Sequence, residues 1–135
     1  NWEFRFIEWS QKQFVIESEN AHIAIIPSDI NSKIKAFVSH NRAVDSLQAG
    51  CMIIANPIPS YIELRQCMLL GHDLPRLINY GINEYSRLTM KWAKYREELL
   101  SRFDPELNLD KWDRCLKVLL EERKKSNAIN GFNFS

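Results

Sequence analysis

KIKAFVSHNRAVDSLQAGCMIIANPIPSYIEL, residues 33–64, is the stretch whose reading decides the fold. In SHNRAVDSLQAG, Ser39 is a helix cap, Val44, Leu47 and Gln48 follow at helical spacing, and Gly50 supplies a left-handed stop. CMIIANP, residues 51–57, is then a short apolar run with no polar alternation, which predicts a strand buried on both faces. Pro57 and Pro59 forbid its continuation, since proline donates no ladder hydrogen bond, and Ser60 is placed to cap a short helix through Tyr61, Glu63 and Leu64. A third apolar run, Cys67 to Leu70, follows, and Asp73 with Pro75 opens another helix.

Working upstream, AHIAIIP repeats the pattern of CMIIANP and predicts a second strand buried on both faces, ended by Pro27, Ser28 and Asp29. Phe4, Phe6 and Ile7 lie in an extended segment, after which Ser10 caps a helix through Phe14, Val15 and Glu17. Strands that alternate with helices predict an α/β class with a parallel sheet, because parallel strands need crossovers and those are usually helical. Downstream of Glu84 the texture is helical only. Tyr85, Leu88, Trp92, Tyr95, Leu99 and Phe103 recur at steps of three and four on one long helix. A break at Asp104 and Pro105 precedes a second amphipathic helix, with Trp112, Cys115, Leu116 and Leu119 on its apolar side. At core spacing, Trp92, Tyr95, Phe103 and Trp112 read as packing residues rather than platforms for a ligand.

The 135 residues, 45% of them hydrophobic, suffice for one ordinary domain and exclude a disordered tail. Lys+Arg 18 against Asp+Glu 17 leaves a formal charge of +1, without the basic excess of a nucleic-acid binder. The longest apolar runs fall far short of the roughly 20 residues that span a bilayer. Cys51, Cys67 and Cys115 are odd in number and widely spaced among apolar neighbours, which predicts small buried hydrophobes in a reducing compartment, neither a disulfide frame nor a zinc site. The first residue is Asn1 and no secretory leader pattern follows, so the expectation is a cytoplasmic piece of a longer chain.

The chemistry concentrates where the helix begins. A helix near Ser39 and His40, following a parallel strand, turns its unpaired N–H groups and the positive end of its dipole toward the crevice in which α/β sheets bind ligands. Arg42 and Asp45, three apart, share a helical face, one suited to phosphate oxygens and the other to ribose hydroxyls. Lys35 offers a second cation. The plainer alternative is a surface helix whose Arg42 and Asp45 pair in solvent, worth about 0.3–0.5 kcal/mol. His22 and His72 read as structural or solvent-facing, whereas His40 lies nearer the expected ligand.

Over about residues 20–80 the chain resembles the C-terminal, donor-binding half of GT-B glycosyltransferases. The resemblance rests on a strand ending in proline, a basic loop, a helix of the type SxNRxxDxxxAG (Ser39 to Gly50), and a strand running into NPIPSYxEL (Asn56 to Leu64). It implies one Rossmann-like half of a GT-B fold, with two amphipathic helices at its C-terminus, 84–125 forming a helical extension within a domain of 1–135. It further implies that Asn41 and Arg42 hold the diphosphate of a nucleotide-sugar donor, that Asp45 holds the ribose, and that Lys35 supports the leaving group. Pro27 and Ser28, with Asp29, are then close to the nucleotide, Trp9 or Ser10 lines the base pocket, and Ser60 and Tyr61 border the donor sugar. Many relatives carry two glutamates separated by seven residues; the second aligns with Asp45, and Phe37 stands in place of the first. The resemblance implies metal-independent glycosyl transfer, with no cofactor besides the donor substrate, to a glycan or lipid-linked acceptor held by a separate N-terminal half that also carries the catalytic base. An isolated donor half is then expected to bind nucleotide but transfer poorly, and the segment near Phe4 to be an interior strand of a larger sheet.

Two readings of another class stand beside this one. The same crevice suits a non-catalytic Rossmann-like module for a different phosphate ligand, and residues 84–125 suit a helical interaction module. Lys117, Arg123, Lys124 and Lys125 suit either peripheral contact with the inner face of an anionic membrane or a solvated helix end.

Overall fold

The structure, a computed structural model, describes residues 3–34 and 38–129, with side chains described through residue 125. Lys35 and Phe37 lie outside the described residues. The chain divides into two units, Asn1–Leu100 and Ser101–Ser135.

In the first unit, α1 (Gln11–Asn20) leads to β1 (Ile23–Ile26), α2 (Asn41–Gln48), β2 (Met52–Ala55), a 3-10 helix (Pro59–Leu64), β3 (Met68–Leu70), α3 (Leu74–Asn83) and α4 (Tyr85–Ser101). The three strands are parallel in the order β1-β2-β3, with Ile23 paired to Met52 and Ile53 to Met68. The fold is thus mixed α/β around a small parallel sheet. Several boundaries follow from the capping chemistry read in the sequence. Ser10 Oγ accepts the Gln13 N–H at 3.1 Å, Asp73 Oδ1 accepts the Arg76 N–H at 3.1 Å, and Gly50 closes α2 with φ +103°.

Alternate residues of β2 face opposite sides of the sheet. On one side Met52 packs with Leu88 and Trp92 of α4, joined by Ile23, Leu69 and Tyr85. There α3 approaches closely: a Cβ added at Gly81 would stand 3.0 Å from Ile54 Cδ1 and 3.3 Å from Met52 Sδ. On the other side lie α1 and α2. The Cys51 thiol donates to the Ser18 and Ala21 carbonyls at the end of α1, and Cys51 lines one hollow with Ser46 of α2. The sheet is therefore covered on both faces, and all four residues of β2 are buried.

Several expectations need correction. Phe4, Phe6 and Ile7 form no strand: residues 3–10 join no ladder, and Phe4 and Phe6 are exposed. β1 is not buried on both faces, because it is an edge strand and Ile25 keeps 46% of its surface in solvent. The 3-10 helix begins at Pro59, so Ser60 lies inside it rather than at its cap. Within the helical region expected over 84–125, Leu88 and Trp92 hold α4 to the sheet, and the division between the two units falls at the end of α4.

In the second unit, α5 (Pro105–Ile129) follows Asp104, whose Oδ1 accepts the Glu106 N–H at 2.9 Å. Trp112 and Cys115 of this helix are exposed, contrary to the packing expected of them.

Candidate functional site

The eight residues of α2 span about 12 Å at the helical rise. They end close before β2, so α2 runs back along the sheet and starts at the carboxyl ends of the strands. The loops at that edge are gathered by Asn56, 8% exposed, which follows the last residue of the central strand. Its Oδ1 accepts the Ser28 N–H at 2.8 Å and its Nδ2 donates to the Gly71 carbonyl at 3.2 Å. One side chain thereby joins the segments that leave both edge strands, satisfying polar groups that burial would otherwise leave unpaired.

The first turn of α2 is built locally. The cap of α2 is His40 rather than the Ser39 expected from the sequence, and the His40 carbonyl accepts the Ala43 and Val44 N–H groups at 2.9 and 3.0 Å. Ser39 Oγ accepts the Asn41 N–H at 3.2 Å and donates to Asn41 Oδ1 at 2.5 Å. The His40 side chain turns away from its own helix, and its Nδ1 lies 3.1 Å from Glu63 Oε1 on the 3-10 helix. That contact ties the start of α2 to the segment after β2.

Arg42 and Asp45, both exposed, border one cavity of about 480 Å³ whose other walls are Trp9, Gln11 and Phe14. Arg42 also borders a hollow of about 400 Å³ at the end of β1, beside Ile26 and Pro27. Asp45 borders one of about 360 Å³ with Val15 and Gln48. Phe14 lines all three. Among the described residues Arg42 and Asp45 form no ion pair with each other. A guanidinium beside a helix N-terminus suits an anion, a carboxylate accepts hydroxyl protons, and the Trp9 and Phe14 rings offer flat apolar surface.

The structure brings Ser39, His40, Asn41, Arg42 and Asp45 to one place, with Pro27 beside Arg42. Ser28 contributes its backbone N–H to Asn56 and lines none of these cavities. Ser60 and Tyr61 turn inward: the Ser60 hydroxyl is closed off from solvent and Tyr61 is 2% exposed, so neither borders an open cavity as expected. Burial pushes the Tyr61 phenol above its ordinary range, and the Arg42 guanidinium partly offsets this. Trp9 reaches the cavity, whereas Ser10 caps α1. Sequence reasoning assigned no role to Asn56, Phe14 or the His40–Glu63 contact. A polar residue ending an apolar strand, as Asn56 does, is the one signal that pointed to any of them.

The cysteines differ in environment. Burial raises the Cys51 and Cys67 thiols above the usual range, with Arg96 opposing it weakly, while Cys115 is exposed. A maleimide reagent at neutral pH is expected to modify Cys115 rapidly and the other two only on unfolding. Mass spectrometry of timed digests checks this, and early labelling of Cys51 would contradict the buried placement.

Among the described residues no group of three His, Cys, Asp or Glu is placed to hold a metal ion, and no helix is long and apolar enough to cross a membrane. Neither a protein-family model, a curated protein nor a solved structure matches the chain.

Proposed function

We propose that the chain is the donor-binding half of a GT-B-type glycosyltransferase, taking a nucleoside-diphosphate sugar at the start of α2 for transfer to a glycan or lipid-linked acceptor. The observation that carries this reading is the shared cavity of Arg42, Asp45 and Trp9 at the N-terminus of a helix that follows a parallel strand. In it the Arg42 side chain and amide hold the diphosphate. The Asn41 amide, which already donates to Ser39 Oγ, carries the smaller share. Asp45 accepts the ribose hydroxyls and Trp9 stacks on the base. Lys35 supports the leaving group, and the acceptor and catalytic base belong to a second Rossmann-like half. The chemistry is metal-independent, since helix dipole and cations offset the charge that develops on the diphosphate.

The test is calorimetry with uridine and guanosine diphosphates and with pyrophosphate. Arg42→Ala removes charge-assisted hydrogen bonds worth about 1.5–3 kcal/mol, a loss of roughly 10- to 150-fold for all three ligands. Asp45→Ala is expected to weaken the nucleotides and leave pyrophosphate unchanged. Unaltered affinity in both variants, or no nucleotide binding by the parent protein, overturns the reading. Pyrophosphate binding that is indifferent to Asp45 and to an attached nucleoside favours the non-catalytic phosphate-ligand module instead.

A further inference from the structure

Gln11 stands in the α1 wall of the Arg42–Asp45 cavity without a task in the proposed function. Only Ala21 and His22 separate α1 from β1, so α1 runs back along the sheet and starts at the same edge as α2. Gln11 is its first residue and, three positions before Phe14, shares a helical face with it. With Trp9 these two oppose Arg42 and Asp45 across the cavity of about 480 Å³. Gln11, Phe14 and Asp45 also border the hollow of about 360 Å³, so Gln11 lies where the two spaces share a wall.

Two glutamines open this helix, and they differ. Gln13 Nε2 donates to Glu17 Oε1 at 2.7 Å, which ties that amide to its own helix. The Gln11 amide is exposed and has no hydrogen-bond partner among the described residues. Its oxygen and its NH2 are both open to a ligand.

The chemistry of a base selects such a group. Beyond its flat face a base presents an edge of adjacent donor and acceptor atoms, O4 and N3–H in uracil, O6 and N1–H in guanine. A primary amide offers one acceptor and two donors side by side, whereas the Arg42 guanidinium only donates and the Asp45 carboxylate only accepts. We propose that Gln11 reads the edge of the base that Trp9 stacks, and is the specificity-determining residue of the nucleotide site. The inference rests on a nucleotide being the ligand at α2.

Calorimetry with uridine diphosphate, guanosine diphosphate and pyrophosphate tests it. Gln11→Ala removes neutral hydrogen bonds, and both nucleotides are expected to weaken roughly 3- to 10-fold with pyrophosphate unchanged. Gln11→Glu presents acceptors only. Its charge repels all three ligands, so the readout is the ratio of the two nucleotides. The carboxylate sets an acceptor against uracil O4, while guanine meets it with its N1–H and N2–H donors. Preference for guanosine over uridine diphosphate is expected to rise about 10-fold or more over the parent. Gln11 is exposed, so both variants are expected to unfold at the parent's temperature in the absence of ligand. Nucleotide binding that Arg42→Ala weakens and neither Gln11 variant alters overturns the role of Gln11 and leaves the proposed function standing. So does an unchanged nucleotide ratio in Gln11→Glu, or a loss in Gln11→Ala that pyrophosphate shares. A parent protein that binds neither nucleotide overturns both.

Discussion

Trp92→Ala is expected to lower the stability of the first unit by about 3–5 kcal/mol, the range for deleting a large buried aromatic side chain. Trp92 is 9% exposed and meets Met52 and Leu88, with Ile23, Leu69 and Tyr85 around them. The cluster to which it belongs joins α4 to all three strands, since Ile23, Met52 and Leu69 belong to β1, β2 and β3 respectively. Truncation leaves a cavity that the sheet cannot close, because the residues around it are held by ladder hydrogen bonds. Urea unfolding followed by circular dichroism measures the loss. A change below about 1 kcal/mol, the scale of an exposed substitution, would show that α4 does not cover this face of the sheet.

Asn56→Ala is expected to cost about 2–4 kcal/mol, since it leaves the Ser28 N–H and the Gly71 carbonyl without their partner and each buried unpaired group costs about 1–3 kcal/mol. The lower half of the summed range is taken because Ser28 and Gly71 retain partial access to water. The effect reaches beyond stability. Asn56 lines none of the cavities, yet it holds Ser28 just beyond the end of β1, so any nucleotide affinity of the kind proposed for this site is expected to fall with it. Asn56→Asp keeps an acceptor for Ser28 but sets a carboxylate against the Gly71 carbonyl, and is not expected to rescue. Amide exchange supplies the specific readout: the Ser28 N–H should lose protection while the amides of β2 keep theirs in proportion to global stability. Retained protection at Ser28 would remove the clamp from the argument.

Much of the local architecture was legible because it is written in near neighbours. CMIIANP predicts a strand buried on both faces and Met52 to Ala55 are all buried, since an uninterrupted apolar run is tolerated only at the centre of a covered sheet. AHIAIIP has the same texture, but β1 is at an edge and Ile25 is exposed. Composition states that a run is apolar, and strand order decides how much of it is covered. Trp112 repeats the lesson on a helix: its period sets it on an apolar stripe and says nothing of what lies against that stripe, and the side chain is exposed. Phe4 and Phe6 have the alternation of a strand, yet a strand needs a ladder partner and β1 does not provide one.

The candidate site divides in the same way. Residues 39–50 determine by themselves that a helix begins here, that Arg42 and Asp45 share its face, and that Gly50 ends it, because helical period and the glycine stop act over a turn or two of chain; the cap itself is His40 and not Ser39. That Trp9 and Phe14 wall the cavity beside them, that Asn56 joins Ser28 to Gly71, and that His40 reaches Glu63 were decided only by the tertiary structure. Those contacts link residues many positions apart, and no periodicity relates them; they arise from packing α1 and α2 on one face of the sheet and from ending three parallel strands at one edge.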